Sequence, residues 1–193
     1  MNGPRKPASG RIRIIGGSLR NSRLEVPDLP GLRPTAERVR ETVFNWLAPH
    51  IQGMRCLDLC AGTGALGLEA LSRGAASVQF VEREARAAQA LRANIVRLKA
   101  DGAQVAVADA VGFLQHTAQV HDLVFLDPPF ALDLWPALAE QLESGGWLAA
   151  QGWIYVESPR DRVPVLPPNW QLHREGQAGE VRFALYRRAL PLS

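Results

Sequence analysis

The sequence predicts an α/β fold, a parallel sheet with helices packed against it that ends in an antiparallel hairpin. Three observations predict it. From residue 55 onward, apolar strand-type runs alternate with helical ones, and such alternation builds a parallel sheet through right-handed crossovers. Gly62, Gly64 and Gly67 fall between the first of these strands and the helix after it, where an α/β sheet binds nucleotides. Near the end the alternation stops: "NWQLHRE" and "EVRFALYRR" are separated only by Gly176, Gln177, Ala178 and Gly179, a link that fits a hairpin.

The chain opens with a small hairpin, "RIRII" at 11–15 and "RLEV" at 23–26, turned through Gly16, Gly17, Asn21 and Ser22, and its core face is expected to be thin. A connector with Pro27, Pro30, Gly31 and Pro34 leads to "TAERVRETVFNWL". There Thr35 is the expected N-cap, Val39, Val43, Trp46 and Leu47 recur at helical spacing, and Arg38, Glu41 and Asn45 take the other face. The strand "RCLDLC" is followed by a helix over 65–73, "SVQFVE" by a long helix over 84–99, "AQVAVAD" by a helix through Phe113, and "DLVFLD" by a helix near 133–143; "WIYVE" is the next strand. The expected division is a basic arm and hairpin over 1–34 and an α/β domain over 35–193.

With 193 residues, 47% of them hydrophobic, the chain suits one well-buried core. Its formal charge of +3 is unevenly placed: Arg5, Lys6, Arg11, Arg13, Arg20, Arg23, Arg33, Arg38 and Arg40 face only Glu25, Asp28 and Glu37 up to position 40. Such a cluster is the footprint of a nucleic-acid binder, or else a solvated arm that keeps the protein soluble. Arg11, Arg13, Arg20 and Arg23 are the candidate RNA contacts. Cys56 and Cys60 lie on one predicted strand, roughly 13 Å apart at that spacing, too far for a disulfide. His50, His116, His121 and His173 are scattered, so no metal site is expected. No run approaches the ~18 apolar residues of a membrane helix, and "MNGPRKPASG" holds no apolar segment, so a cytoplasmic protein is expected.

"LDLCAGTGALG" carries the first chemical site. Glu82 ends the next strand, where its carboxylate can accept hydrogen bonds from both hydroxyls of a ribose. Turn and acid together specify a ligand containing a nucleoside. Asp58, at the exit of the first strand, suits a ligand with an ammonium group and a sulfonium better than a pyrophosphate, which it would repel. That favours S-adenosylmethionine over a nicotinamide dinucleotide, whose enzymes share this turn in outline. The turn residues Cys60, Ala61, Gly62, Thr63, Gly64 and Gly67 are expected around the cofactor, with Asp58, Glu82 and, at the end of the third strand, Asp109 and Ala110. Asp109 is equally suited to cap the helix that follows.

"DPPF", residues 127–130, is the second site. It ends the fourth strand, so it faces the same crevice as the glycine turn. An exocyclic base amine is a poor nucleophile because its lone pair is delocalised into the ring. Two acceptors aimed at its hydrogens free that lone pair, and Asp127 offers a carboxyl oxygen while Pro128 offers a carbonyl. Pro129 fixes the direction of that carbonyl, and Phe130 can stack on the base. These four residues are the expected catalytic group, working by orientation and electrostatics with no metal.

"RIIGGSLR", "RPTAERVRETVFNWL", "LDLCAGTGALGLEALSRGA", "FVE" and "DPPF", followed by "GWL", "IYVE" and "NWQLHRE", resemble the RsmD family of bacterial 16S ribosomal RNA guanine-N2 methyltransferases over about residues 11–188. The resemblance implies a class I S-adenosylmethionine-dependent methyltransferase, Rossmann-like, with a seven-stranded sheet. It also implies transfer of a methyl group to the N2 amine of one guanine of 16S ribosomal RNA in an assembled or assembling small subunit, with S-adenosylhomocysteine as product. Cys60 departs from the family, which usually carries an aromatic there. A monomer is expected, since a bulky ribonucleoprotein needs an accessible face. The competing readings are an N6-adenine nucleic-acid methyltransferase, a protein glutamine methyltransferase, a nicotinamide oxidoreductase and a non-catalytic RNA-binding assembly factor. The first lacks an added recognition domain, the second suits an Asn at 127, and the third is disfavoured by Asp58.

Overall fold

The computed structural model describes residues 11–190; the basic residues Arg5 and Lys6 and the side chain of Arg11 lie outside what is described. The elements follow the expected order: β1 (Arg11–Arg13), β2 (Arg23–Glu25), α1 (Glu37–Leu47), β3 (Arg55–Asp58), α2 (Ala65–Ser72), β4 (Ser77–Glu82), α3 (Ala85–Leu98), β5 (Ala103–Val107), α4 (Ala110–Phe113), β6 (His121–Leu126), α5 (Trp135–Ser144), β7 (Leu148–Pro159), β8 (Trp170–Ala178) and β9 (Val181–Arg188). A 3-10 turn, Phe130–Leu132, lies between β6 and α5.

β1 and β2 form a separate two-stranded sheet, and the other strands form a seven-stranded sheet in the order β5-β4-β3-β6-β7-β9-β8. Pairing is parallel from β5 through β7. β9 runs against both β7 and β8, so β8 is again parallel to the rest. The terminal hairpin is there, but its second strand inserts between the first and the sheet. The chain leaves β3 toward β4 and β5, then crosses back to β6 on the other side of β3. The switch in strand order therefore lies between β3 and β6, where a crevice opens beyond the strand ends.

Alternation along each strand divides the core into two layers. Cys56, Phe80, Leu123, Phe125 and Tyr155 point to the face covered by α1, α2 and α3. Leu57, Val81, Val124, Leu126 and Val156 point to the face covered by α4 and α5.

The amino-terminal hairpin is more deeply rooted than its sequence implies. Ile12, Ile14 and Leu24 are buried in the same cluster as Phe44, Leu68 and Phe125. Glu69 of α2, fully buried, accepts hydrogen bonds from the backbone N–H groups of Ile15 and Gly16, each at 2.9 Å, and from Arg73 Nε at 2.9 Å. Arg40 of α1, 2% exposed, lies 3.5 Å from the same carboxylate and donates to the carbonyls of Arg13 and Thr35. Gly17, at φ +77°, passes so close to α2 that a Cβ there would sit 1.8 Å from the Ser72 carbonyl oxygen.

In α1, Val39, Val43, Phe44 and Leu47 are buried, while Trp46 is half-buried and stacks on Phe183 at 5.5 Å. Thr35 does not cap this helix: Ala36 holds the cap position with no side-chain hydrogen bond.

Candidate active site

β3 delivers the chain into the glycine turn. The turn needs left-handed backbone at Gly62 (φ +54°) and Gly64 (φ +78°), which glycine adopts without a Cβ clash. Gly67 serves packing instead, since a Cβ there would come 2.3 Å from Phe80 Cε1, so α2 lies directly on β4.

Two carboxylates hold the turn. Asp58, 2% exposed, accepts from Gly67 N at 3.1 Å. Burial pushes its carboxyl up to about 7, against the Gly67 hydrogen bond that lowers it. Glu82 Oε2 accepts from Gly62 N at 2.6 Å, and its Oε1 accepts from Glu84 N at 2.9 Å. Glu82 thus joins the end of β4 to the glycine turn and fixes the spacing of the two strand exits.

A cavity of about 800 Å³ opens here, of the size that holds a cofactor together with part of a substrate. One wall is the turn, with Cys60, Ala61, Gly62 and Thr63, and Glu82 is part of the lining. Asp127, Pro128, Pro129 and Phe130, from the exit of the neighbouring strand β6, also line the cavity, with Glu157 from β7. Connector residues 29–36 contribute a further part of the lining. Asp127 is half-buried at the end of β6, with Thr35 and Glu157 beside it in the cavity lining. Burial, followed by the Glu157 charge, holds the Asp127 carboxyl well above the usual carboxylate range. Phe130 packs against Trp135, ring centres 5.7 Å apart, and is half-buried.

The structure gathers most of the expected residues and sets some apart. Asp58, Gly64 and Gly67 stand behind the turn and do not line the cavity. Asp109 is exposed and caps α4 by accepting from Gly112 N at 2.9 Å, and neither it nor Ala110 reaches the cavity lining. Arg13, Arg20 and Arg23 are exposed on the hairpin, away from the cavity, with Arg13 paired to Glu37. Thr35, Glu157 and the connector were not anticipated. The signal for Glu157 was present: "IYVE" ends in an acid at the carboxyl end of the strand parallel to β6, hence in the same crevice. Among the described residues there is no group of side chains that could hold a metal ion, and no helix long and apolar enough to cross a membrane.

The family described as conserved hypothetical protein 95 matches residues 12–187. Ribosomal RNA small subunit methyltransferase D of Escherichia coli K12 is 50% identical over 189 residues, covering 97% of this chain and 96% of that protein. The chain belongs to the RsmD family. The solved structure of the Escherichia coli protein yhhF, described as a candidate methyltransferase, matches with TM-score 0.87 at 48% identity, over 93% of this chain and 99% of that one. A candidate methyltransferase solved with S-adenosylhomocysteine shares the fold at TM-score 0.64 and 16% identity, over 77% of this chain and 49% of that one. The fold of this RsmD-family chain is that of class I S-adenosylmethionine-dependent methyltransferases. Glu82 brings a carboxylate to the cavity lining beside Gly62 and Thr63 of the turn, an acceptor that fits the ribose hydroxyls of that cofactor.

Proposed function

We propose that this protein transfers a methyl group from S-adenosylmethionine to the exocyclic N2 amine of a guanine in 16S ribosomal RNA, on an assembled or assembling small subunit. One observation carries the reading: the DPPF residues and the glycine turn leave neighbouring parallel strands and line one cavity, so an acceptor amine and a nucleoside-borne methyl group can meet there. Family membership supplies the class of RNA.

When bound, S-adenosylmethionine supplies an electrophilic methyl group and departs as S-adenosylhomocysteine. Glu82 and the turn hold its nucleoside. Asp127 accepts from one N–H of the amine and the Pro128 carbonyl from the other, turning the nitrogen lone pair toward the methyl carbon. The nitrogen gains a bond to carbon and gives up one proton to the Asp127 side of the cavity. Phe130 stacks on the base, which must leave its own stack to enter.

The test is incubation with methyl-labelled donor and small-subunit particles or free RNA, followed by nucleoside analysis. N2-methylguanosine is the expected product; label in N6-methyladenosine, or none, overturns the reading. Asp127→Ala should lower kcat at least about a hundredfold with donor affinity unchanged, and Asp127→Asn should keep part of the activity through its amide oxygen.

A further inference from the structure

Glu157 has no assigned part in this reaction, yet it stands on the cavity wall beside Asp127. It is 6% exposed. Tyr155 Oη donates to its Oε1 at 2.8 Å, and Trp135 Nε1 donates to its backbone carbonyl at 2.8 Å, so both side chain and main chain are pinned. Asp127 and Glu157 directly follow the paired residues Leu126 and Val156 on adjacent parallel strands, so their two carboxyl groups lie side by side on one cavity wall. Two carboxyl groups can share a hydrogen bond only if one proton lies between them, because a pair of adjacent carboxylates repels. Among the described residues, neither acid forms an ion pair that would relieve this repulsion. Asp58 of β3 adds a further negative charge near Asp127, and the nearby Cys60 feels Asp58, Glu82 of β4 and the cation Arg83, which with Arg33 and Arg86 lines the same cavity. Thr35 lines the cavity beside the two acids.

We propose that Glu157 is a positioning residue: it shares a proton with Asp127, and that hydrogen bond holds Asp127 with its free oxygen turned toward the acceptor amine. The inference rests on Asp127 being the amine's partner. Burial and the neighbouring acids hold the Asp127 carboxyl above its usual range, in keeping with a proton retained by the pair at neutral pH. When that proton is lost, two anions face each other and Asp127 is driven from its place. Activity therefore falls as pH rises through the ionisation of the pair.

The experiment compares kcat, KM and pH profile for wild type, Glu157→Ala and Glu157→Gln, with affinity for S-adenosylhomocysteine measured by calorimetry as the check on folding. Glu157→Ala should lower kcat about a hundredfold while leaving KM for the particle and product affinity within about threefold. Glu157→Gln can accept from Tyr155 with its oxygen and donate to Asp127 with its nitrogen. It should recover kcat to within about fivefold of wild type and should lose the alkaline fall in rate, because no shared proton remains to be lost. Wild-type kcat in Glu157→Ala, a change confined to KM, a Gln variant as impaired as the Ala variant, or an alkaline limb retained in Glu157→Gln would each overturn the inference.

If Glu157→Ala loses product binding, Tyr155→Phe decides. Removing the Tyr155 hydroxyl takes away a hydrogen bond that favours the doubly charged pair, so the alkaline limb should move to higher pH, and an unmoved limb overturns the inference. Wild type making no N2-methylguanosine is a separate outcome, which overturns the proposed function itself; the variants are scored only against an active wild type.

Discussion

At the scale of the residue, burial decides what each carboxylate does. Asp58 is 2% exposed with one backbone hydrogen bond, and burial pushes it up to about 7. An acid raised in the folded state keeps its proton while the unfolded chain ionises. Its stabilising share is therefore full below the ordinary carboxylate range and is lost as pH rises toward 7. A shift from 3.8 to about 7 corresponds to about 4 kcal/mol over that window. Asp58→Asn keeps an oxygen for Gly67 N and cannot ionise, so its stability relative to wild type should improve steadily from pH 4 to pH 8 in denaturant unfolding without cofactor. A difference that ignores pH would show that Asp58 is ionised throughout. Glu82 is the opposite case, half-buried with both oxygens already accepting from backbone. Glu82→Ala removes the proposed ribose acceptor and loosens the Gly62 amide together. It should weaken S-adenosylmethionine and S-adenosylhomocysteine alike by about ten- to a hundredfold, and calorimetry showing either affinity unchanged would assign the carboxylate elsewhere.

At the scale of the element, what could be seen in the sequence was local and what could not was long-range. The alternation of β3 through β7 and the turn at Gly62 follow from spacings of a few residues, and both stand where they were expected. The insertion of β9 beside β7 depends on pairings such as Tyr155 with Leu185, and no local spacing encodes a partner so far along the chain. Thr35 has the chemistry of a cap and the position for one, but α1 has no side-chain cap and Thr35 lines the cavity instead. Glu69 on α2 and Arg40 on α1 look like solvent-facing charges, yet both are buried and tied to the hairpin. Glu69→Ala would leave the N–H groups of Ile15 and Gly16 and the Arg40 guanidinium without their acceptor, a loss of about 3–5 kcal/mol. Thermal unfolding checks it, and a loss under about 1 kcal/mol would mean that water replaces the carboxylate.

At the scale of the whole molecule, positive charge falls in two places: Arg13, Arg20 and Arg23 stand on the hairpin outside the cavity, while Arg33, Arg83 and Arg86 line it. Arg13 lies directly across from Arg23 in the β1–β2 pairing, both exposed, while their neighbours Ile12 and Leu24 point inward. If this face meets RNA phosphates, replacing Arg13, Arg20 and Arg23 with glutamine should lower the dependence of particle binding on salt by about one unit of slope per arginine. KM for the particle should rise while donor affinity stays fixed. An unchanged slope in filter binding across salt concentrations would move the RNA contact to the cavity mouth around Phe130. The order β7-β9-β8 also governs how the chain can be made. A ribosome releases β8 before β9, yet β8 touches the sheet only through β9, so a nascent chain halted before Val181 carries two unmatched edges, on β7 and on β8. The sheet closes only when its final strand has cleared the exit tunnel, and until then the growing protein depends on chaperones or on speed to keep those edges from other strands.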